Sequence, residues 1–145
     1  MNYVERCLYD YKANVAEIEI LREERENLMS MHGQSYEANN SSDKNDPVAN
    51  TANQKLTLEK KISHIEKRVK PVNKLIKDLQ GSSLRVQQML GILRLKYIEH
   101  EDKDTIKHTI AVSEATFWRR VRDLLRLAKR YFGNCQTIDR KLIGF

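Results

Sequence analysis

A seven-residue repeat of apolar side chains limits what this chain can fold into. The repeat alternates spacings of four and three, through Leu58, Ile62, Ile65, Val69, Val72, Ile76 and Leu79. Such a stripe is typical of a helix that packs against a partner helix. The 145 residues include only five glycines and two prolines, which favours long helices over a turn-rich β sandwich. We therefore expect an all-α protein.

The heptad-patterned helix is predicted to cover residues 46–81. Asp46 is a suitable N-cap, and Pro47 fits the first helical position because its missing N–H needs no partner there. Pro71 predicts a kink, but the apolar spacing continues past it, which argues against a complete break. Gly81 is the predicted C-cap. The basic residues on the polar side are most simply solvent-facing: Lys55, Lys60, Lys61, Lys67, Arg68, Lys70, Lys74 and Lys77.

A first amphipathic helix is predicted over residues 1–29. Its apolar positions again alternate by four and three, through Val4, Leu8, Tyr11, Val15 and Ile18. Residues 30–45 lose this periodicity and fill with Asn and Ser, whose side chains compete for backbone hydrogen bonds, so we expect a flexible polar loop. Residues 134–145 are expected to form a C-terminal tail. Cys7 is expected to be half-buried on the first helix.

Charge is divided unevenly along the chain. Residues 1–50 contain 5 basic and 10 acidic side chains, a net charge of −5, whereas residues 51–145 contain 21 basic and 10 acidic ones, a net charge of +11. This polarity indicates that the second part meets a polyanion, of which nucleic acid is the usual one.

Several other classes of protein are not expected. No stretch approaches the ~18 consecutive apolar residues that span a bilayer, and the first residues lack the apolar core of a signal peptide, so a cytoplasmic protein without membrane contact is predicted. Cys7 and Cys135 lack the spacing of a zinc site or a disulfide framework. The acids from Glu99 to Asp104 lack the pattern of a calcium loop, and capping of a following helix by Asp102 or Asp104 explains them better. We expect neither an enzyme nor a cofactor or metal.

Residues 82–133 are predicted to form a helix-turn-helix DNA-binding domain. A first helix, capped by Ser82 or Ser83, is followed by a short helix through Ile106 and by a longer helix capped by Ser113. A short helix, a tight turn and a longer helix are the arrangement that places a recognition helix in the major groove.

The longer helix, about residues 114–131, is predicted to have two faces. Its core side contains Phe117, Val121, Leu124 and Ala128. Helical geometry then turns Ala115, Arg119, Arg122 and Arg126 outward. Arginine suits the major groove because its planar fork can bond guanine bidentately or clamp phosphates. The predicted DNA-binding residues are Ser113, Glu114, Ala115, Thr116, Trp118, Arg119, Arg120, Arg122 and Arg126.

The same region resembles a known family. The matching pattern consists of Tyr97, Ile106, Ser113, Thr116, Phe117, Trp118, Arg119 and Ala128. It resembles the sigma-factor region 4 type of helix-turn-helix in phage late transcriptional regulators, and is similar to the ArpU family, which is related in style to RinA-type activators. The resemblance implies a DNA-binding regulator of prophage packaging, morphogenesis or lysis genes in a bacterial host cell. Ala111 stands where many such turns have glycine, which is tolerable if the position is not strongly left-handed.

Three functional hypotheses follow. In the first, the chain is a sequence-specific transcriptional regulator of double-stranded DNA whose N-terminal helices form a homodimer or higher oligomer, or contact host RNA polymerase. In the second, it is a small terminase-like DNA-packaging subunit. In the third, it is a helical adaptor whose heptad stripe binds another protein and whose positive charge is incidental.

Overall fold

A computed structural model of the protein describes residues 1–35 and 47–133. Over these residues the chain forms helices and their connections and contains no β-strand. The predicted all-α class is confirmed. The helices are α1 (Tyr3–Tyr9), α2 (Tyr11–Ser35), α3 (Pro47–Asp78), α4 (Leu84–Ile92), which continues as a π-helical segment (Leu93–Ile98), α5 (Lys103–Ile110) and α6 (Glu114–Tyr131).

The N-terminal region contains two helices, where the sequence predicted one over residues 1–29. Asn2 caps α1, its Oδ1 accepting from the N–H of Glu5 at 2.8 Å. Asp10 closes α1 at φ −89° and ψ 1°, and its N–H donates to the carbonyl of Arg6 at 2.8 Å. Aspartate is a poor helix interior residue because its side chain competes for backbone hydrogen bonds, which accounts for the break.

The boundary of the predicted polar loop is also corrected. Helix α2 continues to Ser35, so the first residues of the predicted loop 30–45 are helical, because extending an existing helix adds one hydrogen bond per residue. The rest of that loop, the predicted N-cap Asp46, Cys135 and the predicted tail 134–145 lie outside the described residues.

Helix α3 runs without interruption through Pro71, so the predicted absence of a complete break is confirmed. The helix ends at Asp78, three residues before Gly81. Gly81 does not have the left-handed backbone of a helix C-cap, and that prediction is wrong. A Cβ at Gly81 would lie 3.2 Å from Val86 Cγ1, so glycine here permits close packing at the start of α4.

The chain forms two compact units. The larger unit contains Met1–Ala13 and Lys67–Phe145, and the smaller contains Asn14–Glu66. Within the smaller unit, Arg22 Nη2 lies 2.7 Å from Glu66 Oε1. Further along α2, Leu28 shares a cavity with Leu58 of α3, so the two helices run antiparallel. Part of the heptad stripe therefore finds its partner helix within the same chain.

The core of the larger unit gathers residues from α1, the end of α3, α4, the π-helical segment, α5 and α6. Its largest fully buried side chains include Tyr97, Phe117 and Phe132. The hydroxyl of Tyr97 donates to Glu5 Oε1 at 3.1 Å, and burial, the main cause, raises the pKa of this phenol. Cys7 is only 2% exposed, so the half-buried position predicted for it is wrong. The cause is the packing of α1 against both the π-helical segment and α6.

Among the residues described, no helix is both long and apolar enough to cross a membrane.

Candidate nucleic-acid interface

Helices α5 and α6 begin at the caps that the sequence predicts. The Oδ1 of Asp102 accepts from the N–H of Thr105 at 2.8 Å, and Ser113 Oγ accepts from the N–H of Thr116 at 3.2 Å. Such caps satisfy N–H groups that have no partner within the helix. The Ser83 side chain, by contrast, makes no capping hydrogen bond at the start of α4. The start of α6 is thus fixed by its own sequence.

A turn of three residues joins α5 to α6. Ala111 adopts φ 54° and ψ 55°, which is left-handed backbone. The N–H of Val112 donates to the carbonyl of Lys107 at 3.1 Å and holds the turn closed. Ala111 therefore occupies a strongly left-handed position, which is the conformation that glycine suits best.

Helix α6 has the two predicted faces. Phe117, Val121, Leu124 and Ala128 are buried, and Ala115, Arg119, Arg122 and Arg126 are exposed. Within the described ranges, the three arginines have no ion pair or hydrogen bond with another side chain. Their guanidinium groups therefore present donors to solvent along one edge of the helix.

Arg120 differs from the other predicted DNA-binding arginines. Its Nε donates to Gln88 Oε1 of α4 at 2.9 Å, and its Nη1 donates to Asp123 Oδ2 at 3.2 Å. Asp123 also pairs with Arg85 at 3.1 Å. These contacts assign Arg120 to the packing of α6 against α4 and separate it from the exposed edge.

Glu114 and Trp118 lie together with a lysine that the sequence did not single out. Lys103, the first residue of α5, donates to Glu114 Oε1, and its Nζ lies 6.0 Å from the centroid of the Trp118 ring. The Trp118 ring also packs edge-on against Phe117 at 5.0 Å between centroids. Trp118 is nevertheless 45% exposed. Lys103 and Phe117 thus hold an accessible indole beside the first turn of α6.

The Lys103–Glu114 contact changes the acid–base properties of both groups. The hydrogen bond from Lys103 is the main cause that lowers the pKa of Glu114, and the charges of Lys103 and Lys107 add to it. The same hydrogen bond raises the pKa of Lys103. Both groups are therefore charged near neutral pH, and the pair joins the start of α5 to the start of α6.

The predicted site residues are thus divided by the fold. Ser113 caps α6, and its hydroxyl also contacts the Thr116 hydroxyl at 3.0 Å. Ser113 itself is exposed, and so are Glu114, Ala115, Trp118, Arg119, Arg122 and Arg126. Lys103 was missed because its sequence neighbours are acidic and its role depends on a turn that brings α5 against α6.

The described residues contain no group of histidine, cysteine or acidic side chains that could hold a metal ion. Comparison of the chain with protein-family models, with curated proteins and with solved structures found no match.

Proposed function

We propose that the chain is a sequence-specific, double-stranded DNA-binding protein in which α4, α5 and α6 act as a helix-turn-helix. Helix α6, about residues 114–131, would lie in the major groove as its recognition helix. The exposed edge of Arg119, Arg122 and Arg126, opposite the buried face of the same helix, carries the proposal. An exposed arginine on a recognition helix can bond guanine bidentately or clamp a phosphate.

The first turn of α6 supplies the remaining contacts of this proposal. Glu114, Ala115 and Trp118 are exposed beside Arg119 and would lie near base edges. Ser113 and Thr116 lie at the start of the helix and would lie near phosphate. The cap occupies the Thr116 N–H, and the first-turn N–H groups before it, which have no intrahelical acceptor, can donate to a DNA phosphate. Arg120 is left out of the interface because its Nε and Nη1 already donate to Gln88 and Asp123 within the protein.

The role in the cell is proposed from the resemblance to phage late regulators. In this proposal the chain controls transcription of packaging, morphogenesis or lysis genes of a phage or prophage in the bacterial cytoplasm. Dimerisation or higher assembly through the N-terminal helices would combine two half-site contacts, and the same helices would contact host RNA polymerase.

The proposal is tested by selecting bound duplexes from a randomised DNA pool and footprinting the chain on phage or prophage DNA. Enrichment of one sequence and a matching footprint are expected. Arg119→Ala and Arg122→Ala should each weaken binding to that duplex by ~1 to 3 kcal/mol if the side chain contacts a base. Arg94→Ala, which removes an exposed arginine from the π-helical segment, is the control and should leave the affinity unchanged.

Two outcomes would overturn the proposal. Full affinity in both α6 variants would show that this edge does not read DNA. Binding that is weak, independent of sequence and steeply salt-dependent would instead indicate a protein-binding adaptor with incidental charge. The solution mass adds a separate readout, because a ring of many subunits would favour DNA packaging, whereas a monomer or dimer would favour transcriptional regulation.

A further inference from the structure

Three basic side chains converge where α3 and the end of α6 line a common cavity in the larger unit. Lys70 and Lys74 come from α3, and Arg130 comes from α6. The cavity is open to solvent and has a volume of about 550 Å³. Its other lining residues are Pro71, Leu127 and Tyr131, so none of the six is acidic.

The Tyr131 ring lies beneath one of these cations, Lys74. Lys74 Nζ is 5.9 Å from the centroid of the Tyr131 ring, within the range of a cation–π contact. The Tyr131 hydroxyl donates to Asp78 Oδ2, which fixes the ring and is the main cause that raises the pKa of the phenol. Asp78, the acid beside the cluster, accepts this hydrogen bond from Tyr131.

The cluster is continuous with the exposed edge of α6. Arg130 and Leu127 also line a second cavity of about 420 Å³, together with Arg85 of α4 and Arg126 of α6. Asp123, which lines the same cavity, is held by its ion pair with Arg85. Arg126 belongs to the edge proposed to enter the major groove. A basic surface therefore extends from the recognition face across α6 to Lys70 and Lys74.

We propose that this surface binds the phosphodiester backbone of the same DNA duplex whose major groove α6 enters, with Lys70, Lys74 and Arg130 as phosphate contacts. The inference rests on the proposed function. It adds three phosphate-contacting residues and, with them, the path that one DNA strand takes across the protein surface. Phosphates border a major groove on both sides, and lysines act on them as flexible point charges that carry no base information. In this proposal Lys70 and Lys74, which line the cavity shared with α6, contact DNA, and the other lysines of α3 do not line that cavity.

The salt dependence of DNA binding tests this assignment. Each protein cation that neutralises a phosphate contributes about 0.9 to the slope of log affinity against log salt concentration. The variant Lys70→Gln/Lys74→Gln should lower that slope by about 1.8 on a short mixed-sequence duplex. It should also weaken the selected and the mixed-sequence duplex by the same factor. Glutamine has nearly the helix propensity of lysine, and circular dichroism with thermal unfolding verifies that the variant is folded.

The matched control is Lys60→Gln/Lys61→Gln. It removes the same two charges from exposed positions of the same helix, outside the larger unit, and should leave the slope at the wild-type value. Arg130→Gln is a third variant and should lower the slope by about 0.9. An equal fall for both lysine pairs would show an effect of net charge alone and overturn the inference.

The remaining outcomes separate this inference from the proposed function. One outcome is an unchanged slope in both Lys70→Gln/Lys74→Gln and Arg130→Gln while the unaltered chain binds the selected duplex normally. That result overturns the phosphate contacts proposed here and does not affect the proposal that α6 is the recognition helix. Binding of the cluster to an acidic protein would then be the alternative. Absence of DNA binding by the unaltered chain overturns both the proposed function and the phosphate contacts of Lys70, Lys74 and Arg130.

Discussion

Arg120 of α6 and Gln88 of α4 are joined by a hydrogen bond of 2.9 Å from the arginine Nε to the glutamine Oε1. The same guanidinium donates through Nη1 to Asp123, which in turn pairs with Arg85. Four polar side chains thus connect α4 to the flank of α6. The neighbouring Arg119, one residue earlier in sequence, is exposed on the outer edge. These adjacent arginines therefore have different surroundings.

This difference predicts that two neighbouring arginine substitutions have unequal effects on the free energy of unfolding. Arg120→Ala should lower the free energy of unfolding by about 1 to 3 kcal/mol, because it removes two hydrogen bonds of a charged donor and leaves the part-buried Gln88 Oε1 without that donor. Arg119→Ala should change it by no more than about 0.5 kcal/mol, as is usual for an exposed position. Urea unfolding followed by circular dichroism measures both. Equal stabilities would show that the Gln88 and Asp123 contacts contribute nothing to the packing of α6.

The turn before α6 predicts a stabilising substitution. Ala111 has φ 54°, and a left-handed alanine costs about 1 to 2 kcal/mol relative to its usual conformation. Ala111→Gly should therefore raise the free energy of unfolding by about 1 kcal/mol despite the greater freedom of glycine in the unfolded chain. Thermal unfolding measures the change as an increase in Tm.

The control for this prediction is the same chemical change at Ala115. This alanine is exposed in the first turn of α6, where Ala115→Gly should lower the free energy of unfolding by about 0.5 to 1 kcal/mol. Opposite signs at the two positions are the expected result. A loss of stability at both would mean that the backbone at Ala111 is not under steric strain.

The sequence predicted those features that depend on local periodicity. The buried face of α6, with Phe117 and Leu124, follows from a spacing of three and four, and the exposure of Arg122 on the opposite side follows from the same geometry. The caps of Asp102 and Ser113 were predictable because a cap bonds a backbone group only three residues away.

The sequence did not predict features that depend on how the helices meet. Helical periodicity places Arg119 on the outward edge, but the contact of Arg120 with Gln88 depends on the position of α4, which periodicity does not give. Lys74 and Arg130 are distant in sequence and line one cavity because α3 and α6 share a core. Periodicity specifies which face of a helix is buried, whereas it does not specify which neighbouring helix a flank touches.

The contact between Lys103 of α5 and Glu114 of α6 should weaken in acid, because it depends on the ionised Glu114 carboxylate. The Lys103 hydrogen bond lowers the pKa of the Glu114 carboxyl in the folded chain below its value in the unfolded chain. The contact therefore stabilises the folded state above the unfolded-chain pKa, and its contribution is lost as the pH falls through the folded value. NMR titration of the Glu114 side chain should show a pKa below the ordinary range of glutamate.

Two lysine variants rank the causes of this shift. Lys103→Met should return the Glu114 pKa most of the way to the ordinary value, because the hydrogen bond from Lys103 is the largest cause. Lys107→Met should return it less, since Lys107 Nζ lies 4.0 Å from the carboxylate and acts through its charge. A larger effect of Lys107→Met would contradict the Lys103–Glu114 contact.

Replacing Gly91 by alanine should lower the free energy of unfolding in the wild-type chain, and the sign of this change should depend on the neighbouring Ile110. A Cβ at Gly91 of α4 would lie 2.9 Å from Ile110 Cγ2 of α5, so the methyl group fits only if the Ile110 side chain or one of the two helices shifts. Overpacking of this kind costs about 1 to 3 kcal/mol, whereas the better helix propensity of alanine returns about 1 kcal/mol. Gly91→Ala should therefore lower the free energy of unfolding, measured in urea, by about 1 kcal/mol.

The Ile110→Ala background separates these two effects. Without the Cγ2 methyl group the clash is removed, and Gly91→Ala should then raise the free energy of unfolding by up to about 1 kcal/mol through helix propensity alone. The double-mutant cycle should accordingly give a coupling energy of at least about 1 kcal/mol between the two positions. Additive effects in the cycle would show that α4 and α5 do not approach each other through Gly91 and Ile110.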